Sequence, residues 1–219
     1  MRYIVIIGFS LLSFLCQGQH EYGAHQDKAS LLSALDQYKD DSTRAYLLNE
    51  LSWAYHNTNV DSSKHYATLA LETAERVDYK VAISRALNLL AIVHMNNQNE
   101  YAARIKNEKA LQLARSVNDS FMISAALNDL AILDDMSGDT QGALQKYQES
   151  LEYGKRLTLS RFTLLNISIL HYHLQNDSLA NHYLGKAIQN IEDVEDPYIL
   201  TSLMYSVGEL YWERGQRDS

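Results

Sequence analysis

The stretch Ala86-Leu87-Asn88-Leu89-Leu90-Ala91-Ile92 returns 40 residues later as Ala126-Leu127-Asn128-Asp129-Leu130-Ala131-Ile132. Each copy runs into a polar turn, Asn96-Asn97-Gln98-Asn99 in the first and Ser137-Gly138-Asp139-Thr140 in the second. A second segment of helical periodicity follows in each, with Ala103 and Ala110 in one and Ala143 and Ser150 in the other. Apolar residues three and four apart read as helix, so the unit is a helix, a turn and a helix, repeated with a period near 40.

The same phase extends in both directions. Small residues Ser52, Ala91, Ala131, Ser168 and Gly208 mark five first helices, and Ala70, Ala110, Ser150 and Ala187 mark four second helices. Two helices approach closely only where small side chains face each other, with large apolar residues one turn away filling the groove. A lone hairpin leaves its apolar stripe in water, whereas stacked hairpins bury it. Helix starts are expected at Asp61-Ser62, Asp119-Ser120, Asp139-Thr140 and Asp177-Ser178, whose side chains can accept from free backbone amides. The fold class is therefore all-α, an α-solenoid of tandem antiparallel helix hairpins.

Residues Leu127 to Leu151 resemble a tetratricopeptide (TPR) unit: a large residue at Leu127, Leu130-Ala131, the turn Gly138-Asp139, then Ala143, Tyr147 and Ser150. Leu87, Leu127, Leu164 and Met204 stand where that family usually has tryptophan, and its proline after the second helix is absent. The longer period makes this similar to the longer-helix variety. The resemblance covers roughly residues 43–215 and implies a right-handed superhelix.

Composition agrees. One proline, Pro197, and nine glycines leave the chain free to be helical almost throughout. A net charge of −8 without a Lys/Arg cluster argues against nucleic acid as a partner. Residues 1–18 read as a secretory signal peptide: Arg2, an apolar run from Tyr3 to Leu15, and small residues before a cut after Gly18. The run is shorter than the roughly 20 residues that span a bilayer. Cys16 would suit a lipoprotein signal, but Leu15 stands where such signals place a small residue. The mature chain would hold no cysteine, hence no disulfide, and no membrane span. Residues 19–42 form a linker and a capping helix at 26–39, with Leu31, Leu32, Leu35 and Tyr38 on one stripe. Residues 43–219 form the solenoid, about four full units plus a final unpaired first helix over 197–214. Solenoids end in a polar cap, and this chain reaches Asp218-Ser219 without one. Two expectations arise: a longer protein, or a last helix packed on a partner or a second copy.

In TPR arrays the first helices line the concave face. The resemblance therefore implies a peptide-binding face made of Tyr46, Asn49, Trp53 and His56; Arg85, Asn88, Ile92 and Met95; Asn128, Ile132 and Asp135; Phe162, Leu165, Ile169 and Tyr172; and Tyr205, Glu209 and Trp212. Asn49, Asn88 and Asn128 share one phase, and a carboxamide can pair with the backbone of an extended peptide; alternatively they brace neighbouring helices. Arg85 is offset by Asp129, Asp135, Glu209 and Glu213, which argues against gripping an acidic tail.

No catalytic, cofactor or metal site is expected. His171 and His173 diverge on one helix, and only His171 and His182 can meet across a hairpin, two ligands where zinc wants three or four. Asp134-Asp135, Glu192-Asp193 and Glu195-Asp196 are adjacent pairs that read as solvated surface. The function expected is a non-enzymatic scaffold that binds a protein or peptide outside the cytoplasm, the sensory or interaction part of a signalling regulator. Alternatives are a periplasmic adaptor that self-associates through its C-terminal helix, or a cytoplasmic TPR regulator that binds response regulators or signalling peptides.

Overall fold

The computed structural model describes residues 28–154, 159–189 and 197–217. The signal-peptide expectation, Cys16, the pairs Glu192-Asp193 and Glu195-Asp196, and Asp218-Ser219 lie outside the described residues. Among the described residues ten helices follow one another: α1 Lys28–Gln37, α2 Asp41–Tyr55, α3 Val60–Arg76, α4 Lys80–Asn96, α5 Glu100–Ser116, α6 Ser120–Ser137, α7 Thr140–Gly154, α8 Leu159–His173, α9 Asp177–Ile188 and α10 Pro197–Arg217. Among the described residues there is no strand. The capping helix ends at Gln37, two residues before its expected end, and the last helix runs three residues further than expected.

The turns explain the period. Asp78, Gln98, Asn118 and Gly138 all take left-handed backbone (φ 48°, 56°, 54° and 86°), each 20 residues after the last. Gln175 does the same at φ 58°. The next residue usually caps the following helix: Asn99 accepts from the Ala102 amide, Asp119 from Met122, Asp139 from Gly142 and Asn176 from Leu179. A left-handed residue that stops one helix, followed by an Asn or Asp that starts the next, reverses the chain in two residues. Asp119 and Asp139 cap as expected, but Asp61 and Asp177 sit inside the first turn, and Asn59 and Asn176 are the caps. An asparagine one or two positions earlier offers the same oxygen with better reach to the third amide.

Each hairpin closes on its small residues. Ser52, Ala91, Ala131 and Ser168 of the first helices and Ala70, Ala110, Ser150 and Ala187 of the second are fully buried. The serines do more than leave room: Ser52 Oγ donates to Ser63 O at 2.9 Å, and Ser168 Oγ donates to Ala180 O at 2.7 Å. Hydrophobic clusters run across hairpins. One joins Trp53, Ala67, Leu89, Ile92, Ala114, Met122 and Leu127; the next joins Ala91, Ala103, Leu130, Leu133, Tyr147, Ile167 and Leu170. No hairpin owns its core, which is why the unit has to be repeated.

The first helices α2, α4, α6, α8 and α10 touch in succession, whereas the second helices do not reach one another to a comparable degree. The first helices thus form the tighter, inner layer. Ion pairs bridge the outer one, Lys109 to Glu75 at 4.0 Å and Arg115 to Glu149 at 2.5 Å. At the start, α1 packs Leu31 against Leu47 and Leu51 of α2, and Arg44 Nη1 donates to the Leu35 and Tyr38 carbonyls that end α1.

Candidate functional site

The face assigned from the sequence lies on the inner layer, but most of its side chains turn inward. Asn49, Trp53, His56, Asn88, Ile92, Met95, Asn128, Ile132, Phe162, Leu165 and Tyr172 are buried. Tyr46, Arg85, Asp135, Ile169 and Glu209 are half-buried, and Tyr205 and Trp212 are exposed. The correction has a simple cause: adjacent first helices pack directly on each other, so a side chain aimed along the stack meets the next helix before it meets solvent.

The asparagine row shows this best. Asn49 Nδ2 donates to Ala82 O of α4 at 3.1 Å. Asn88 Nδ2 donates to Asn107 Oδ1 at 2.8 Å and to Asp129 Oδ2 at 2.7 Å, joining α4, α5 and α6. Asn128 accepts from Asn166 Nδ2 of α8 at 3.1 Å. These carboxamides brace successive hairpins, and none is free to meet a peptide in this arrangement.

At the centre of the row lies a carboxyl group that the sequence analysis set against Arg85 on the binding face. Asp129 is wholly buried. Burial drives its pKa from 3.8 up to about 7, and hydrogen bonds from Asn88, Asn128 and Asn107 pull it back only in part. None of the groups acting on it is a cation. It also faces Tyr147 of α7, whose phenol is pushed up by burial and by the charges of Asp135, Asp129 and Asp134.

Asp134, expected on a solvated surface, is instead a buried anion between two cations. Arg104 Nη1 of α5 lies 2.8 Å from Oδ1, and Lys146 Nζ of α7 lies 2.5 Å from Oδ2. Its neighbour Asp135 is half-buried, and burial raises its carboxyl while nearby His173 lowers it. Arg85 is balanced by Glu50 of the preceding first helix, with Tyr46 beside the guanidinium at 5.8 Å, and not by the carboxylates expected from the sequence.

The histidines do not converge on a metal. His171 stacks on the Tyr183 ring at 5.6 Å, while His182 meets the same ring edge-on at 5.4 Å. Among the described residues no group of three or more His, Cys, Asp or Glu side chains is placed to hold a metal ion. Nor is any described helix long and apolar enough to cross a membrane. His56 stacks on Trp53 at 3.9 Å, with Nδ1 on the Trp53 carbonyl, and burial depresses its pKa to about 4. Among the described residues, the inner layer offers shape and hydrogen bonding.

Residues 82–156 match the tetratricopeptide repeat family. No curated protein matches the chain in sequence. Among solved structures it is similar to aspartyl phosphate phosphatase F from Bacillus subtilis, with a TM-score of 0.65 and 17% identity over 82% of this chain and 48% of that one. It therefore spans about half the length of that structure. BtubC (BKLC) from P. vanneervenii is similar at a TM-score of 0.57 and 15% identity, over 73% of this chain and 68% of that one. At such identities the likeness concerns the fold. The matched segment holds α5, α6 and α7 with most of α4, the part where the repeat is most regular, and the same hairpin recurs on both sides of it. The match supports a tetratricopeptide-repeat assignment for residues 82–156.

Proposed function

We propose that this chain is a non-catalytic scaffold that binds a protein or peptide partner, and that it serves outside the cytoplasm as the sensory or interaction part of a signalling regulator. The observation that carries the binding role is the repeat itself: tetratricopeptide hairpins stacked so that successive first helices form one continuous inner layer. Such arrays bind through many modest contacts along the layer, and their polar cores serve to hold its shape. Two half-buried side chains of the inner layer, Asp135 and Ile169, belong to successive first helices and are the contacts we assign to the partner. The extracytoplasmic role is supported by the charged start, apolar run and small-residue cleavage site of residues 1–18.

The test is capture of partners by the chain beside two variants. Asp135→Arg with Ile169→Asp changes the inner layer. Tyr101→Glu changes α5 on the outer layer, where Tyr101 is 79% exposed. The expected result is a partner lost with the inner variant and kept with the outer one. Equal capture by both variants would refute the assignment. Mass spectrometry of the expressed protein decides the location: a chain beginning at Gln19 supports export, and an intact Met1 refutes it. An intact start would favour the cytoplasmic regulator reading, to which the likeness to aspartyl phosphate phosphatase F lends the fold.

A further inference from the structure

Each hairpin brings the same two positions together near its turn: one in the last turn of the first helix, the other the seventh residue of the second helix. Three of the four described hairpins satisfy that pair internally. In α2 and α3 it is Tyr55 and Tyr66, whose rings stack at 5.5 Å, with Lys28 Nζ 4.5 Å over the Tyr55 ring. In α6 and α7 it is Asp134 and Lys146, 2.5 Å apart, with Arg104 of α5 at 2.8 Å from the other carboxylate oxygen. In α8 and α9 it is His171 and Tyr183, stacked at 5.6 Å. The remaining hairpin, α4 and α5, puts His94 and Lys106 there. Lys64 of α3 stands 40 residues before Arg104, so Lys64, His94 and Lys106 repeat Arg104, Asp134 and Lys146 one period earlier. Both cations are kept and the acid is replaced by imidazole. Helices α3, α4 and α5 pack on one another as α5, α6 and α7 do. Burial, and then the charges of Lys106 and Lys64, hold the His94 imidazole below its ordinary pKa, and no acid is among the groups acting on it. Among the described residues neither lysine forms an ion pair. His94 and Lys106 are half-buried and Lys64 is exposed, so the cluster is open to solvent.

We propose that Lys64, His94 and Lys106 form a binding site for a carboxylate, supplied by an acidic side chain of a partner protein. The chain itself shows what these positions accept: one period later, the same two cation positions grip the Asp134 carboxylate, one on each oxygen. Two ammonium groups brought together without a counter-ion repel each other. A carboxylate between them removes that repulsion and accepts a charge-assisted hydrogen bond from each. The imidazole adds an N–H donor in the place where the later hairpin has its acid. A carboxylate is favoured over the larger phosphoryl group because the equivalent clasp closes on a carboxylate. The site lies beside the hairpin turns, apart from Asp135 and Ile169 of the inner layer, and it does not rest on their assignment to a partner.

The probe is sodium acetate, titrated into the full chain at constant pH and at an ionic strength held constant with sodium chloride, while the histidine ring signals are followed by NMR. The His94 signals, identified by their loss in His94→Gln, should shift saturably, with half-saturation on the order of 10–100 mM, as suits a single partly exposed ion pair. Lys106→Gln should weaken that response at least about three-fold. Lys109→Gln, on the outer surface beside Glu75, should leave it unchanged. A second measurement needs no ligand. His94→Asp supplies the missing carboxylate from the chain itself and should raise the melting temperature by about 2–4 °C over His94→Asn. Adding Lys106→Ala to His94→Asp should remove most of that gain. The proposal is overturned by a His94 response that stays linear to about 300 mM acetate, or by one that Lys106→Gln leaves intact. It is equally overturned if inorganic phosphate saturates the site at about one-tenth of the acetate concentration, which would assign a phosphoryl group. A His94→Asp chain no more stable than His94→Asn would overturn it too, since the three groups would then not converge.

Discussion

Asp129→Asn isolates a buried acid with no cation to offset it. The carboxyl sits in the interior between α4, α5 and α6, held by Asn88 and Asn128 and opposed by no cation. Burial raises its pKa from 3.8 to about 7. The folded state therefore prefers the protonated acid, while the unfolded chain ionises near its ordinary value. Between those two values the unfolded state binds fewer protons, so stability falls as pH rises, by about 1.4 kcal/mol per unit. The shift of about 3 units corresponds to a total loss of about 4 kcal/mol, complete above pH ~7 and absent below pH ~4. Asparagine has nearly the same shape and carries no charge to bury. Its baseline depends on how the carboxamide settles against Asn88 and Asn128, but its pH dependence does not. Urea unfolding of both proteins from pH 5 to pH 8 should show the variant gaining on the wild type by about 3 kcal/mol over that range. Contributions from His56 and the surface carboxylates are common to both and cancel in the difference. A stability difference that stays constant from pH 5 to pH 8 would refute the assignment of an uncompensated acid at position 129.

Three other outcomes follow from the same reasoning. His56 is held neutral by burial, with its pKa at about 4, so it costs stability as pH falls from about 6.5 toward 4; His56→Phe, which keeps a ring on Trp53, should remove about 2.4 kcal/mol of that acid-side loss, read from denaturant midpoints at pH 7 and pH 4.5. Gln98 takes left-handed backbone at φ 56° in the position that Gly138 fills one period later, and Gln98→Gly should stabilise by about 0.5–1 kcal/mol, seen as a rise in melting temperature. Asp134→Ala strands Arg104 and Lys146, each about one-third exposed, and should cost about 1–2 kcal/mol, against roughly 0–1 kcal/mol for Arg115→Ala on the outer surface.

The hairpins were legible because their physics is local. Ala91 and Ala131 must be small wherever two helices cross, and that demand leaves a mark at a fixed interval in the chain. The turns were legible for the same reason at Gly138-Asp139, and less so at Asn59 and Asn176, where asparagine and aspartate stand close together and either can cap. What the sequence could not display was which side chains of a first helix face the next helix. Asn88 and Asn128 share a phase whether they brace or bind, and only the separation of neighbouring first helices decides between the two. Asp134 was misread because its partners, Arg104 and Lys146, lie 30 and 12 residues away in the chain. Asp129 was misread because no rule of periodicity announces a buried acid; its one visible sign was a charged residue in the position where the preceding copy has Leu89.

The most direct test concerns the joint between one hairpin and the next. Ser150 of α7 and Thr163 of α8 meet at 3.4 Å between their hydroxyl oxygens, in the buried interior. Ser150→Cys with Thr163→Cys, in the Cys16→Ser chain, should form an intrachain disulfide under mild oxidation and raise the melting temperature while leaving the helix content unchanged, since closing a loop of about a dozen residues stabilises by about 3 kcal/mol. Two thiols that stay reduced and react freely with a maleimide in the folded protein would contradict the nesting of successive hairpins.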